Sequence, residues 1–371
     1  MGPLTGVRVL DLSRLLPGPA CTWLLQGLGA SVDRVEPPGR GDFSRHVPPF
    51  IDGVGAYFAA VSRGKRSIAV DLRADGGPAL IRELVRAYDV LVEGFRPGVM
   101  ESIGLAPDDL VREVPGLVVA RLSGFGQSGP WRGRPGHDVN YIGLAGVLAA
   151  AGRGPSGPSL PPVQLADFGG AQVAAMGIAA GLFERERERA AGRPGGRVLD
   201  VSLAEAALVP LAPTVLACTT EDRAPVPDGE PLGGGLPVYG CYECSDGRWL
   251  TVGALEPKFQ ERLSAAAGCQ PNRPALAQMF RTQPRDAWVA QLGEACVGPI
   301  LDPRELAEHP VFSARGAVER VGRSSWVRPP LAEPGDATGE LPAIGQHTDA
   351  VLREAGLETQ VAALRDARVV A

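Results

Sequence analysis

Three short stretches of the sequence combine side chains that exchange protons with glycines or prolines that shape a turn. The first is the segment 134–141, Arg-Pro-Gly-His-Asp-Val-Asn-Tyr, which contains His137, one of four histidines. The second places Asp167 directly before a Phe-Gly-Gly run, and the third places Glu256 before a proline. An imidazole titrates near neutral pH, and a carboxyl group moves toward that range in a dry pocket. These residue types are therefore suited to general acid–base chemistry.

Each of these residues also has a purely structural explanation. Most histidines have no catalytic task, so His137 alone fits an ordinary surface or core position. Asp167 is also explained as the N-terminal cap of a helix that follows it, since capping aspartates are common. Glu256 is explained in the same way, because a proline suits the first helical position after it. The local sequence leaves both explanations open for all three residues.

Apolar runs and helical patterns alternate in the first 200 residues. The predicted strands are 7–12, 31–36, 67–71, 90–93 and 117–122. The predicted helices are 19–28, 77–88, 107–114 and 170–190. This alternation predicts an α/β fold with a Rossmann-like, open and mostly parallel sheet. The first strand–helix turn lacks a full Gly-x-Gly-x-x-Gly pattern, so Glu36 is not interpreted as an NAD ribose ligand.

The pattern changes beyond residue 195, where 197–201 is strand-like and 203–217 is helical. The Pro/Gly-rich stretch 221–235 then predicts a connection. Two strands, 238–243 and 248–254, then flank an Asp-Gly turn that is typical of antiparallel hairpins. Helical patterns follow at 257–267, 273–282, 285–292, 304–307 and 348–354. We expect a large domain of residues 1–197 and 335–371, a connection of 198–237, a smaller α+β domain of 238–318 and a return connection of 319–334.

Composition limits the classes of function. The formal net charge is −5, so the chain lacks the strong positive field that would attract nucleic acids or anionic membranes. No stretch is expected to approach membrane-spanning length. The six cysteines are scattered, and no second pair accompanies Cys241 and Cys244, which predicts a reduced, cytoplasmic protein without a metal site. Lys65 and Lys258 are the only lysines, so a site for an anionic ligand must be formed mainly by arginines.

The three stretches occur in one order, and Asp167 follows His137 by 30 residues. In this arrangement the chain resembles, over almost its whole length, the 2-methylacyl-CoA racemases of the class III CoA-transferase (CaiB/BaiF) family. The run His-Asp-Val-Asn-Tyr is the most specific part of the resemblance. Further matching segments are 63–67, 93–98, 122–129 and 234–239.

The resemblance implies an isomerase that interconverts (R)- and (S)-2-methylacyl-CoA thioesters through an enolate. His137 and Asp167 would be the two acid/base groups on opposite faces of the substrate, and Glu256 would orient the imidazole. Two groups are required because one base cannot readily return the proton to the opposite face. We expect backbone amides and the helix dipole around 167–170 to stabilise the enolate.

The resemblance also implies a CoA site over the carboxyl ends of the parallel strands. The matching positions are Val70, Leu72, Arg73, Gly94, Phe95, Arg96 and Tyr141, with Arg40 and Lys65 as additional phosphate contacts. Relatives often have an arginine where this chain has Pro37 and a basic residue where it has Ser102. Both positions touch the expected CoA contacts. No cofactor is expected beyond the CoA moiety of the substrate.

Two other functions stay open at this level. A class III CoA-transferase resembles the chain over the same length and would use Asp167 as a nucleophile. Such transferases generally lack the histidine of the Gly-His-Asp-x-Asn-Tyr run, and their glycine-rich flap is usually longer than residues 233–237. A non-catalytic acyl-CoA-binding protein is disfavoured by the intact set of His137, Asp167 and Glu256.

The resemblance further implies an interlocked homodimer, with the active site between the large domain of one subunit and the small domain of the other. The Pro/Gly-rich segments 221–235 and 329–345 fit chains that thread through each other. They fit ordinary linkers equally well. The sequence contains no signature for the acyl group.

Overall fold

The structure is a computed structural model that describes residues 2–154, 157–332 and 339–371. Contacts divide the chain into two compact units. The first unit contains the described parts of the segments Met1–Ala145, Val163–Val209 and Pro310–Ala371. The second unit contains those of Gly146–Pro162 and Pro210–His309.

The strands and helices alternate along the chain. The strands are β1 (Arg8–Asp11), β2 (Ser31–Glu36), β3 (Phe50–Ile51), β4 (Val54–Gly55), β5 (Arg66–Ala69), β6 (Val90–Glu93), β7 (Val118–Ser123), β8 (Arg153–Gly154), β9 (Gly157–Pro158), β10 (Arg197–Ser202), β11 (Tyr239–Glu243), β12 (Trp249–Gly253), β13 (Val297–Pro299), β14 (Val318–Val321) and β15 (Ser324–Val327). The helices are α1 (Pro17–Gly27), α2 (Ala56–Ser62), α3 (Gly77–Leu84), α4 (Val99–Ser102), α5 (Pro107–Glu113), α6 (Asp138–Leu144), α7 (Val147–Ala150), α8 (Leu165–Ala190), α9 (Leu203–Leu208), α10 (Ala212–Thr220), α11 (Pro257–Ala267), α12 (Arg273–Phe280), α13 (Arg285–Leu292), α14 (Pro310–Ser313), α15 (Thr348–Glu354) and α16 (Val361–Asp366).

A six-stranded sheet organises the first unit, in the order β10-β7-β6-β1-β2-β5. All five neighbouring pairs are parallel. Each of these strands overlaps a run that the sequence predicted to be a strand. The predicted α/β fold with an open parallel sheet is therefore confirmed.

The central strands of this sheet are buried on both faces, which explains the apolar runs in β6 and β7. Successive side chains of a strand point to opposite faces. In β1, Val9 belongs to the core cluster that contains residues of α1 and α8, whereas Leu10 belongs to the cluster that contains residues of α3 and α15. In β6, Val90 and Leu91 divide in the same way. The sheet is thus covered by helices on both sides.

The direction in which strands are added to the sheet reverses between β1 and β6. From β1 the sheet continues through β2 to β5, and on the other side it continues from β6 through β7 to β10. A reversal of this kind opens a crevice at the carboxyl ends of the strands, where α/β proteins usually bind their ligands. The segments that follow β1 and β6 therefore lie where a ligand is expected.

The long helix α8 begins at Leu165, five residues before the predicted start at Gly170. By length and composition alone, this helix of 26 residues is long and apolar enough to cross a membrane. The expectation that no stretch approaches membrane-spanning length is therefore wrong. One side of α8 is buried, and the helix packs against α1, α9 and the strand β7. These contacts are those of a core helix.

The second unit is built on the antiparallel sheet β11-β12-β13. The predicted hairpin corresponds to β11 and β12, and helices α11, α12 and α13 contribute to the same apolar core. The short ribbon β8–β9 lies in the Gly/Pro/Ser-rich segment 151–162, of which residues 155 and 156 lie outside the described residues.

The unit boundaries differ in detail from the predicted domains. Residues 198–209, expected in a connection, form most of β10 and α9 and belong to the first unit, because β10 pairs with β7 along its whole length. Residues 310–318, expected in the small domain, also belong to the first unit. The expected return connection contains all of the hairpin β14–β15 except Val318, and its residues 333 and 334 lie outside the described residues.

Candidate active site

A groove follows the carboxyl ends of the central strands in the first unit. It consists of three cavities of about 640, 440 and 530 Å³, which we call the Arg368 cavity, the Phe43 cavity and the Asp167 cavity after a residue that lines each one. Arg14, shortly after β1, lines all three. Gly94, directly after β6, lines the Phe43 and Asp167 cavities. The cavities therefore adjoin one another at the switch point of the sheet.

His137 lies immediately before helix α6 and lines the Asp167 cavity. Its backbone is extended, with φ −128° and ψ 174°. The side-chain oxygen of Asn140 accepts a hydrogen bond of 3.0 Å from the His137 N–H, and the carbonyl of His137 accepts one of 2.8 Å from the Asn140 N–H. These two bonds fix the backbone from which the imidazole projects.

Tyr141 braces the segment that carries His137. Its hydroxyl donates a 2.6 Å hydrogen bond to the carbonyl of Gly136, and its ring occupies the space that a side chain at Gly124 would need. A Cβ atom at Gly124 would lie 2.4 Å from the ring, which only glycine avoids. Burial and the nearby carboxylate of Asp167 raise the pKa of Tyr141 to about 12, so its hydroxyl stays protonated as a donor.

Asp167 is the third residue of α8 and lines the same cavity as His137. The structural alternative, in which Asp167 caps this helix, is wrong because the helix begins before it. The cap comes from Asp138, whose Oδ1 accepts hydrogen bonds from the N–H groups of Ala166 at 2.7 Å and of Asp167 at 3.0 Å. Asp138 therefore ties the His137 segment to the helix that carries Asp167.

Burial raises the pKa of Asp167 to about 7, and the negative charge of Asp138 adds to this effect. The position near the helix N-terminus favours the ionised form and opposes the rise. Both protonation states of Asp167 are accessible near neutral pH. A carboxyl group of this kind can accept a proton and return it.

The expectation that backbone amides at 167–170 stabilise a negative charge is wrong. The amides of Ala166 and Asp167 bind Asp138, and that of Phe168 donates to the carbonyl of Gln164 at 3.0 Å. The two following amides lie inside the helix, where they are directed at earlier carbonyls. The guanidinium groups lining the Asp167 cavity are those of Arg14, Arg96, Arg132 and Arg134.

Most of the residues predicted to contact CoA line the groove. The Arg368 cavity is lined by Arg40, Val70, Leu72, Arg73 and Phe95. The Asp167 cavity is lined by Gly94, Phe95, Arg96 and Tyr141. Pro37, where relatives often have an arginine, lies in the wall of the Arg368 and Phe43 cavities. Ser102 is exposed, and its hydroxyl donates to the carbonyl of Val99 at 2.8 Å.

Lys65 is the exception, and its prediction as a phosphate contact is wrong. Its side chain is buried beneath α1, where the Nζ donates to the carbonyl of Pro19 at 2.7 Å and to the hydroxyl of Thr22 at 2.6 Å. The carboxylate of Asp11 lies 3.8 Å from the Nζ. Burial lowers the pKa of Lys65 to about 7. The residue belongs to the interior of the first unit and not to the groove.

Two residues of the groove and one residue beside it escaped the sequence analysis. Arg14 could have been found from its position after the first strand, where α/β proteins place ligand contacts. Asp138 belongs to the His-Asp-Val-Asn-Tyr run, but its hydrogen bonds to α8 depend on the tertiary structure. Arg368 has no local signal, because the chain beyond α16 must fold back before this side chain reaches the Arg368 cavity.

Glu256 belongs to the second unit, where it is exposed and directly precedes α11. This is the helix-start position of its structural explanation, although its side chain forms no capping hydrogen bond. The orienting role of Glu256 toward His137 stays a prediction. Within the described residues, no group of three His, Cys, Asp or Glu side chains is arranged to hold a metal ion.

The fold and the site define an α/β protein whose ligand groove lies at the switch point of a parallel sheet. The sequence matches the family described as CoA-transferase family III over residues 4–348. It is also similar to a solved structure, a CaiB/BaiF family protein from Brucella suis, with a TM-score of 0.82 and 27% identity over 95% of this chain and 99% of that one. The chain belongs to CoA-transferase family III and is an enzyme of this acyl-CoA-handling family.

Relatives with different activities match at similar levels. The chain is 36% identical to the alpha-methylacyl-CoA racemase of Homo sapiens, over 96% of this chain and 94% of the relative. It is 33% identical to the acetyl-CoA:oxalate CoA-transferase of Acetobacter aceti, over 86% of each chain. Similarity therefore defines the family, and the reaction has to be inferred from the site.

Proposed function

We propose that this enzyme is a 2-methylacyl-CoA racemase in which His137 and Asp167 are the two acid/base groups. The observation that carries the proposal is that Asp167 lines one cavity with His137 and has a pKa of about 7. A nucleophilic carboxylate needs to be ionised, whereas a group that both removes and returns a proton works best with a pKa near the working pH.

In the proposed reaction, the thioester end of the substrate enters the Asp167 cavity. One group removes the α-proton, the electrons of the broken C–H bond move into the thioester as an enolate, and the other group delivers a proton to the opposite face. For the opposite epimer, the group that delivered the proton removes it, and the other group delivers it. The arginines of the cavity stabilise the negative charge of the enolate.

The proposal is tested by incubating the enzyme with one epimer of a 2-methylacyl-CoA in deuterated water, with a free carboxylic acid present as a rival CoA acceptor. The wild-type enzyme should incorporate α-deuterium and bring both epimers to the same mixture. His137→Ala and Asp167→Asn should lose this convergence, since each variant lacks one of the two groups. Asp349→Asn is the matched control, because Asp349 pairs with Arg365 outside the groove.

The alternative is a class III CoA-transferase in which Asp167 attacks the thioester carbonyl. The similarity to an acetyl-CoA:oxalate CoA-transferase supports this second candidate. Movement of CoA to the free acid without α-deuterium incorporation would establish the transferase and contradict the racemase.

The proposal includes the assembly and the location of the enzyme. We infer an interlocked homodimer in which Glu256 of one subunit orients His137 of the other. Met176 and Phe183 expose apolar side chains on α8, which supports the inference that another subunit covers this surface. Six free cysteines support a reducing, cytoplasmic environment. Light scattering coupled to size-exclusion chromatography should give twice the mass of one chain.

A further inference from the structure

The residues that follow α16 fold back against the end of β5. The carbonyl of Val369 accepts a 2.8 Å hydrogen bond from the N–H of Asp71, and Val370 forms an antiparallel bridge with Val70. This pairing fixes Arg368 beside the carboxyl end of β5. There it lines the Arg368 cavity, in the groove that contains the predicted CoA contacts.

Arg368 occupies a backbone position that normally belongs to glycine. The N–H of Val369 donates to the carbonyl of Leu364 at 2.8 Å, and the N–H of Arg368 donates to that of Arg365 at 2.9 Å. These two bonds form a Schellman motif at the end of α16, in which the position of Arg368 is usually a glycine. Its φ is +56°, a conformation that is unfavourable for a residue with a side chain. The fold alone therefore favours glycine at this position.

The Arg368 cavity is suited to an anion. Its charged lining residues are Arg14, Arg40, Arg73, Arg368, Glu36 and Asp71. The carboxylate of Glu36 is compensated by the buried guanidinium of Arg45, at 2.6 and 2.7 Å, and that of Asp71 accepts the backbone N–H of Arg73. The guanidinium of Arg368 forms no hydrogen bond or ion pair with any described residue. It is thus available to a ligand.

The arginines have an order along the groove. Arg14 and Arg40 line both the Arg368 cavity and the Phe43 cavity, which leads toward Asp167. Arg73 and Arg368 line only the Arg368 cavity. In CoA the diphosphate lies between the pantetheine arm and the adenosine, and the third phosphate is attached to the ribose at the far end. This assignment of direction rests on the proposed function, which puts the thioester beside Asp167.

We propose that Arg368, together with Arg73, binds the ribose 3′-phosphate of CoA. The two arginines shared with the Phe43 cavity then face the diphosphate. Arg368 is a specificity-determining residue by which the enzyme distinguishes CoA from dephospho-CoA, which lacks only the ribose phosphate. A guanidinium suits this task because it donates paired hydrogen bonds to phosphate oxygens.

The test is calorimetric titration of the purified full-length enzyme with CoA and with dephospho-CoA. Arg368→Gly removes the guanidinium and places at this position the residue that the Schellman motif prefers, so the fold of the tail is retained. We expect this variant to bind CoA about 10- to 100-fold more weakly than the wild type, as for the loss of a charge-assisted contact. Its affinity for dephospho-CoA should be unchanged.

Arg365→Ala is the matched control. Arg365 lies in the same helix, but its guanidinium pairs with Asp349 at 2.7 Å and does not line the groove. This variant should bind both nucleotides as the wild type does. The thermal unfolding midpoint of Arg368→Gly should be at or above that of the wild type, because the backbone strain is relieved.

Two results would overturn the assignment. An equal loss of affinity for both nucleotides would show that Arg368 acts on the diphosphate or on the shape of the tail. Unchanged affinity for CoA would show that it binds no phosphate. The titration contains no acyl group, so it does not depend on the proposed reaction. If the enzyme distinguishes CoA from dephospho-CoA but exchanges no α-proton in deuterated water, the proposed reaction is contradicted and the role of Arg368 is still supported.

Discussion

Asp138 links the two residues on which the proposed chemistry depends. It adjoins His137 in sequence, and its carboxylate accepts hydrogen bonds from two backbone amides in the first turn of the helix that carries Asp167. Its charge also contributes to the raised pKa of Asp167. One side chain therefore influences both the position of Asp167 and the protonation of its carboxyl group.

We expect Asp138→Asn to shift the activity of the enzyme toward lower pH. The asparagine oxygen can still accept the two amide hydrogen bonds, but the neighbouring negative charge is gone, so the pKa of Asp167 falls. For the epimer whose proton Asp167 removes, the ionised form is needed, and activity should persist to a pH lower by roughly one unit. For the other epimer, Asp167 must be protonated, so the loss of activity at high pH should begin at a pH that is lower by about the same amount. The pH dependence of kcat for each epimer measures both shifts.

Asp138→Ala separates the two effects, because it removes the cap as well as the charge. Loss of an N-terminal cap costs about 1 kcal/mol of stability. We expect lower kcat for both epimers in this variant, beyond any pH shift. Identical pH profiles of Asp138→Asn and the wild type would contradict the electrostatic role of Asp138.

At the scale of elements, strands such as β6 and β7 were predictable because strands buried on both faces are recognisable apolar runs. The start of α8 was not, because the cap that begins it at Leu165 comes from Asp138, which is distant in sequence. The short strands β13, β14 and β15 were also missed, since each is held by its partner more than by its own composition. Lys65 was misassigned because burial of a lysine depends on the tertiary structure.

The packing of Tyr141 against the strand end at Gly124 leads to a prediction for the segment before α6. We expect Gly124→Ala to lower kcat by about tenfold or more, since small displacements of catalytic groups have effects of this size. The new Cβ would lie 2.4 Å from the Tyr141 ring, so the ring must shift, which disturbs its hydrogen bond to Gly136 beside His137. Steady-state kinetics of the purified variant measure the effect.

Two variants serve as comparisons for this change. Gly133→Ala lies in the same loop, where a Cβ meets no described atom within 4 Å, and it should retain wild-type kcat. Tyr141→Phe keeps the ring and loses only the hydroxyl bond, so its loss should be smaller, about 1 kcal/mol in the activation free energy. An active Gly124→Ala enzyme would show that the ring does not position His137.

At the scale of the whole molecule, charge is distributed unevenly. The chain has a formal net charge of −5, yet arginines line every cavity of the groove. The overall charge therefore repels an anionic substrate at long range, while the groove attracts it at short range. The net charge can be read from the sequence alone, but the location of the positive groove depended on the fold.

This distribution predicts that substrate binding weakens with salt. The KM for a 2-methylacyl-CoA should rise about 3- to 10-fold between about 0.05 and 0.5 M ionic strength, because salt screens exposed guanidinium groups. The matching thioester of N-acetylcysteamine, which lacks the nucleotide, should show a constant KM. Equal salt dependence of the two thioesters would contradict binding of the nucleotide by the arginine-lined groove.

The burial of Lys65 has a practical consequence for chemical labelling. The chain contains two lysines, and the Nζ of Lys65 is enclosed by Pro19 and Thr22, whereas Lys258 is exposed at the start of α11. A lysine-directed dye should therefore react at a single side chain, two residues after Glu256. A fluorophore at that position would report on the surroundings of Glu256 in solution, including whether another subunit covers it.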